Sequence, residues 1–321
     1  MPMNIRPHSM VVAFDGESKC GKTTIVTAVA NEAAYQDNLG AEFDTVFPSV
    51  PKRRGKQQDK IRAYIDSLRF NSISAISAGN VFRAAAYHAI RAERHGRSKE
   101  SFDKNDGEAL RSMLAEDGVV DILQNDPEIG SRVSATGKLP GVQRLCGSIF
   151  CDQLTEQYHA SGGSNLVVVD ARDPIGHLER NNLIGGEGAQ IHPGSILPVY
   201  IDTSSETAAA RMRGDFVANL ALVQSRRYDD ATREELPVVR PAVMQDDFTS
   251  WLGQLCHVDR LATVATPYRL DNSPEVTLDG IQNFAGHIAS AVNDTGNWLK
   301  WSRDMTADDV TNARFDWQVI A

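Results

Sequence analysis

The chain of 321 residues carries 33 basic and 42 acidic side chains, a formal net charge of −9, with 41% hydrophobic and 23% charged residues. This is the balance of a globular protein with material for a real core, in one large domain or two modest ones. It argues against a general nucleic-acid binder, whose balance is basic, and no apolar run approaches the length of a membrane span. The stretch 1–10, with Pro2, Arg6, Pro7 and His8, lacks the apolar centre of a secretory signal. Cys20, Cys146, Cys151 and Cys256 are widely spread and form no CxxC pair, so they read as reduced thiols of a cytoplasmic protein. No HExxH or Cys/His cluster appears, which argues against a metalloenzyme.

Taken in chain order, the first element is the short apolar run Val11-Val12-Ala13-Phe14, the mark of a buried parallel strand. It leads into Gly16-Glu17-Ser18-Lys19-Cys20-Gly21-Lys22-Thr23, which fits G-x-x-x-x-G-K-[ST]. The stretch 24–34 has no Gly or Pro and predicts a helix. Strand, glycine loop and helix are the parts of a phosphate-binding P-loop. Its backbone N–H groups and helix N-terminus face an anion, Lys22 reaches the β- and γ-phosphates, and Thr23 holds Mg2+. The basic run 49–60 reads as a solvated loop or, less simply, as a phosphate or partner contact. A helix is predicted over 80–94, with Val81, Ala84, Ala85, His88 and Ala89 on one side. Leu166 to Val169 predicts a second strand ending at Asp170, and Ile196 to Ile201 a third, whose Pro198 argues against a central place. The glycine-rich 185–194 predicts a surface loop. Ile281, Phe284, Ile288 and Val292 recur at helical spacing, and Trp298, Trp301 and Trp317 mark a tail that packs on the body or on a second subunit. Strands alternating with helices predict an α/β protein with a parallel sheet and helices on both faces.

Four further clusters bear on chemistry. Ser77 to Arg83 is a glycine turn entering a helix, with Arg83 placed either to grip a phosphate or to stand on the surface. Asp170-Ala171-Arg172-Asp173 follows a strand, where ligands of parallel sheets sit. Asp170 can act on Mg2+, Arg172 can meet an acceptor phosphate and Asp173 can accept from an amino or hydroxyl group; alternatively the charges of this turn pair with one another. The arginine-dense segment from Arg211 through Arg226 to Arg233 reads equally as a lid over reacting phosphates or as a solvated helix with i,i+4 pairs such as Asp229 with Arg233. Ser131-Arg132-Val133-Ser134, followed by Leu139-Pro140-Gly141-Val142-Gln143-Arg144, says little alone.

In order, these clusters resemble the cytidylate kinase family of nucleoside monophosphate kinases, whose pattern runs DGPxGxGKST, DTGAMYR, SRVSxxPxVR, VVDGRDIGT and RDxRDxxR. Asp15-Gly16 and Gly21-Lys22-Thr23-Thr24 match the loop, with Glu17 where the family has Pro. Gly79, Phe82 and Arg83 match the second motif, Ser131 to Ala135 with Leu139-Pro140 the third, Val168 to Asp173 the fourth, and Arg226, Asp230 and Arg233 the fifth. The resemblance spans roughly 10–295. It implies a P-loop kinase fold with lid and acceptor-binding insertions: a domain over 1–295, an acceptor-binding region at about 77–165, a lid at about 205–235, and a C-terminal extension over 296–321. It implies transfer of a phosphoryl group from ATP, with Mg2+, to CMP or dCMP. The loop residues Gly16, Glu17, Ser18, Lys19, Cys20, Gly21, Lys22, Thr23 and Thr24 would hold the donor, and Thr23 and Asp170 the metal. Lys22, Arg172 and Arg226 would be catalytic, with Arg83, Arg172 and Arg226 on the acceptor phosphate. Asp173, Arg233 and Ser131 or Ser134 would meet the cytosine, and Asp230 the ribose. The family's base-reading arginine falls on Gln143 or, with a one-residue shift, Arg144. Ala171 replaces a glycine, Pro174 is extra, and 36–70, 178–194 and 241–265 are longer than the family norm. These additions can reshape the acceptor pocket or form a homo-oligomer surface. The alternatives are a P-loop kinase with another small acceptor and an inactive nucleotide-binding regulator; no N-K-x-D motif of a GTPase is present.

Overall fold

Runs such as Val11 to Phe14 and Leu166 to Val169, each residue at most 1% exposed, need cover on both faces. The computed structural model supplies it. It describes residues 9–23, 25–26, 29–30, 72–160, 165–185, 188–232, 240–246 and 264–272. Thr24, Arg233, Cys256, the basic run 49–60, the helix expected at 281–292 and the extension 296–321 lie outside these residues.

The strands are β1 (Met10–Asp15), β2 (Ser72–Ser77), β3 (Asn165–Asp170), β4 (Ile196–Asp202) and β5 (Tyr268–Asp271). They form a five-stranded sheet in the order β2-β3-β1-β4-β5, and every pairing is parallel. Register places Phe14 beside Asp170 and Asp15 beside Tyr200, so the carboxyl ends of the three central strands open at one edge. The helices are α1 (Ala78–Arg94), α2 (Lys104–Leu114), α3 (Val119–Asn125), α4 (Pro127–Thr136), α5 (Val142–Tyr158), α6 (Pro174–Arg180), α7 (Ser205–Ala210) and α8 (Phe216–Ala231). Residues 22, 23, 25, 26, 29 and 30 are also helical.

The pleat sorts the core. Val11, Ala13, Val167, Val169 and Ile196 meet α1 and α5 through Val81, Ala85, Ile149 and Phe150. Val12, Phe14, Leu166, Val168, Leu197 and Ile201 meet Ile25, Val26 and Val29 on the other face. Each fully buried Val, Leu or Phe contributes about 1.5–3 kcal/mol. Ala84, Ala85 and Ala86 are wholly buried, so α1 lies close against its neighbours. Phe102 and Leu110 join the same core from the segment and helix that follow α1.

Three expectations are refined. β4 is an inner strand despite Pro198; β5 pairs with it only from Val199 onward, so the proline precedes that ladder. The glycine-rich loop is not wholly superficial, because Ile191 is completely buried. The region assigned to the lid, about 205–235, holds two helices, α7 and α8, with the arginine-dense segment starting in the turn between them, around Gly214 (φ +107), and the two pack on each other through Ala208, Ala209 and Val223. Cys146 and Cys151 are free and buried, and burial pushes both thiols up to about 12.

His177 of α6 is 5% exposed and stacks edge-on against Phe150. Burial, reinforced by the nearby Arg180 charge and opposed by Asp173, holds its pKa down from 6.5 to about 4. The unfolded chain therefore takes up a proton near pH 6.5 that the fold refuses until about pH 4. Stability is expected to fall across that window, by up to about 3 kcal/mol. Denaturant midpoints of wild type and His177→Leu between pH 7 and 4 check this; the variant should lose that part of the slope.

Candidate functional site

The loop after β1 turns at Gly16, where φ is +142 and a Cβ would lie 2.7 Å from the Ile201 carbonyl oxygen. Only glycine fits there. At its far end the buried Cys20 offers its carbonyl to two donors, Thr203 Oγ1 at 3.2 Å and Asn272 Nδ2 at 2.7 Å. The segments just past β4 and β5 thus brace the loop. Lys22 curls back over it, its Nζ donating to the carbonyls of Gly16 (2.5 Å) and Glu17 (3.1 Å) and approaching Cys20 Sγ at 3.6 Å. Lys19 stands in the left-handed region at φ +64, at a place where the family pattern has glycine.

Acidic groups line the sheet side of the loop. Asp170 at the end of β3 is 8% exposed and accepts from Thr23 Oγ1 at 2.8 Å and, more distantly, from Ser77 Oγ at 3.4 Å. The pair predicted to hold a metal therefore does come together. The Asp15 carboxylate accepts from Gly16 N at 2.6 Å and Asp173 N at 3.1 Å. Burial raises its pKa, against the lowering effect of those N–H groups and of Lys22.

Cations gather opposite. Arg172 ion-pairs with the buried Asp230 of α8 and reaches Ser18 Oγ at 3.5 Å. Arg83 bonds Asn80 Oδ1 at 3.2 Å, and Gly79 leaves room for its guanidinium, which would lie 3.1 Å from a Cβ there. Burial lowers the Arg83 pKa; Asp170 opposes that and Arg172 adds to it. Burial likewise lowers the Lys19 pKa, with the charges of Arg226 and Arg83 pushing the same way. Lys19 thus feels Arg83 and Arg226, and Arg83 feels Arg172. Like charges brought together in this way favour an anion between them.

Other predicted residues stand apart. The Asp173 carboxylate caps α6, accepting from Gly176 N at 3.0 Å, and pairs with Arg180 at 2.9 Å. Its own backbone is left-handed, at φ +49. Ser131 and Ser134 are exposed on α4, where Ser131 Oγ donates to Glu128 O at 2.8 Å. Arg132 between them pairs with Glu93. Gln143 is buried and donates to Gly137 O at 2.7 Å, whereas Arg144 is exposed. Among the described residues, none of Ser131, Ser134 and Arg144 joins the hydrogen-bond network of the loop. A cleft of about 410 Å³ opens beside Asp15 and Asp173, walled by Pro174, Pro198, Tyr200, Val243 and Pro267.

Sequence reasoning passed over Arg227, Thr203 and Asn272. Arg227 carried a signal, since it is basic where the lid pattern has an acidic Asp. Thr203 and Asn272 gave none: their role exists only once β4 and β5 flank the loop. No protein-family model matches the chain, and no curated protein matches it.

The Gly16 turn tests the loop's construction. Gly16→Ala places a methyl group against the Ile201 carbonyl and is expected to cost about 1–3 kcal/mol. Urea unfolding measures it; a variant as stable as wild type would show that the loop can relax away from β4.

Proposed function

We propose that the chain is a P-loop kinase that transfers the γ-phosphoryl group of ATP to a nucleoside monophosphate, CMP or dCMP first among them. The observation that carries this reading is the assembly around one glycine loop: Lys22 folded over it, Thr23 bonded to Asp170, and Arg83, Arg172 and Arg226 gathered at its mouth. Loop amides and Lys22 suit the donor phosphates. Thr23 and Asp170 are hard oxygen donors at the end of β3 and suit Mg2+, which when bound neutralises phosphate charge. In the reaction an oxygen of the acceptor phosphate attacks the γ-phosphorus and ADP leaves. Such a transfer asks for alignment and charge neutralisation more than for a base. Arg172 is pre-oriented by Asp230, and Arg83 and Arg226 complete a cationic seat for the acceptor phosphate.

The engagement of Asp173 in capping α6 favours a second reading of the acceptor alone. With its carboxylate held by Gly176 N and Arg180, the cytosine contact that the resemblance implies competes with helix α6. A kinase of the same design acting on another small phosphorylated acceptor accommodates this.

The test is ATP–Mg2+ phosphoryl transfer to CMP, dCMP, UMP, AMP, GMP and dTMP. Turnover is expected with CMP or dCMP; turnover with another acceptor selects the second reading, and none with any sinks the monophosphate kinase. Lys22→Ala is expected to lose on the order of 100-fold or more in kcat while remaining folded. Arg172→Ala is expected to raise the acceptor KM about 10–100-fold with little change in the KM for ATP. The reverse pattern would place Arg172 on the donor side.

A further inference from the structure

Two residues that depart from the family pattern meet in space. Glu17 stands in the loop where the pattern has Pro, and Arg227 stands in the last turns of α8 where it has Asp. Arg227 Nη1 lies 2.7 Å from Glu17 Oε2, with the arginine side chain 12% exposed and the glutamate 36%. The same guanidinium donates from Nε to Ser18 O at 3.4 Å and from Nη1 to Ser205 Oγ at 3.2 Å, the latter at the start of α7. Its Nη2 is buried without a hydrogen-bond partner among the described residues, so the fork is only partly used.

The position of Arg227 on α8 gives this pair a consequence. Arg226 and Asp230 are four residues apart and share a face of the helix. Asp230 engages Arg172, and Arg226 acts on Lys19 at the loop mouth. Arg227 projects about 100° around the axis from Arg226. Holding it on the loop therefore sets the rotation of α8 and, with it, the direction of both neighbours. The α7–α8 pair has its own small apolar cluster, built on Ala208, Ala209 and Val223. Its ties to the loop, to the turn after β3 and to the segment after α4 include ion pairs: Arg227–Glu17, Asp230–Arg172 and Lys138–Asp229 at 3.8 Å.

We propose that Arg227 is a positioning residue: through Glu17 it latches the α7–α8 lid onto the donor loop, so that donor binding and the placement of Arg226 and Asp230 are coupled. This rests on the kinase reading above for its chemical meaning, though not for its geometry. Glu17 O accepts from Lys22 Nζ at 3.1 Å, so the residue that receives the latch also shapes the seat of the donor phosphates.

The full chain is tested as wild type, Arg227→Glu, Glu17→Arg and the charge-swapped double variant. Hydrogen exchange over 216–231 reports the lid, and steady-state kinetics report the KM for ATP. Each single variant is expected to lose protection across α8 and to raise the KM for ATP about 10-fold, with the swap recovering most of both. Additive losses in the double variant, or unchanged α8 protection in Arg227→Glu, overturn the proposal. Should a charge reversal fail to fold by circular dichroism, Glu17→Gln, Arg227→Gln and their double form the same cycle: non-additive losses support the latch and additive losses overturn it. Exchange needs no turnover, so the two readings separate. Recovery by the swap in a chain that phosphorylates no monophosphate keeps the latch and removes the monophosphate kinase. Turnover with additive losses does the opposite.

Discussion

The carbonyl of Cys20 is the point on which the site depends. A glycine loop between a strand and a helix is an open arch that keeps its shape only where it is braced. Here Thr203 and Asn272, from segments following different strands, both donate to that one carbonyl. Gly16 brings the other end of the arch against β4. The loop is thus tied into the sheet at both ends, and Lys22 closes it from above. None of this works unless β4 and β5 lie beside β1 in parallel, which the buried apolar runs impose from the core outward.

Around this fixed arch the charges are arranged by sign. Carboxylates stand at the ends of β1 and β3, each occupied by loop or hydroxyl donors. Guanidinium groups approach from helices, Arg83 from α1 and Arg226 and Arg227 from α8, and Arg172 from the turn after β3. Their mutual repulsion costs stability, and Asp170, Asp230 and Glu17 offset part of it. A site built at such cost is suited to an anion of high charge, which replaces repulsion by several charge-assisted hydrogen bonds.

The legible parts of the sequence were those in which local pattern and tertiary role coincide. Val11 to Phe14 and Leu166 to Val169 announce buried strands by being apolar throughout, and the latter ends at Asp170 as expected. The glycine loop is written in its own residues. Strand β2 went unread because Ser72-Ile-Ser-Ala-Ile-Ser is small and half polar, as an edge strand can be. The capping role of Asp173 was hidden for a different reason. It needs a left-handed backbone and a nearby Gly176, and nothing in a charged turn declares its dihedral angles. Arg172 shows the limit from the other side: its charge was legible, but its partner lies 58 residues away on α8.

The three residues between the loop's glycines that looked most irregular in sequence have separable physical roles. Cys20 is buried and supplies the braced carbonyl, so its small apolar side chain suits the position. Glu17 faces outward to Arg227 and brings α8 to the loop. Lys19 adopts φ +64, a conformation that costs a non-glycine residue about 1–2 kcal/mol. That cost places a cation beside Arg83 and Arg226, where their charges oppose it further. Strain and repulsion at the same residue both run against the stability of the fold, and an anion at the loop mouth relieves the repulsion. A lysine there therefore makes more sense as part of a binding surface than as part of the scaffold.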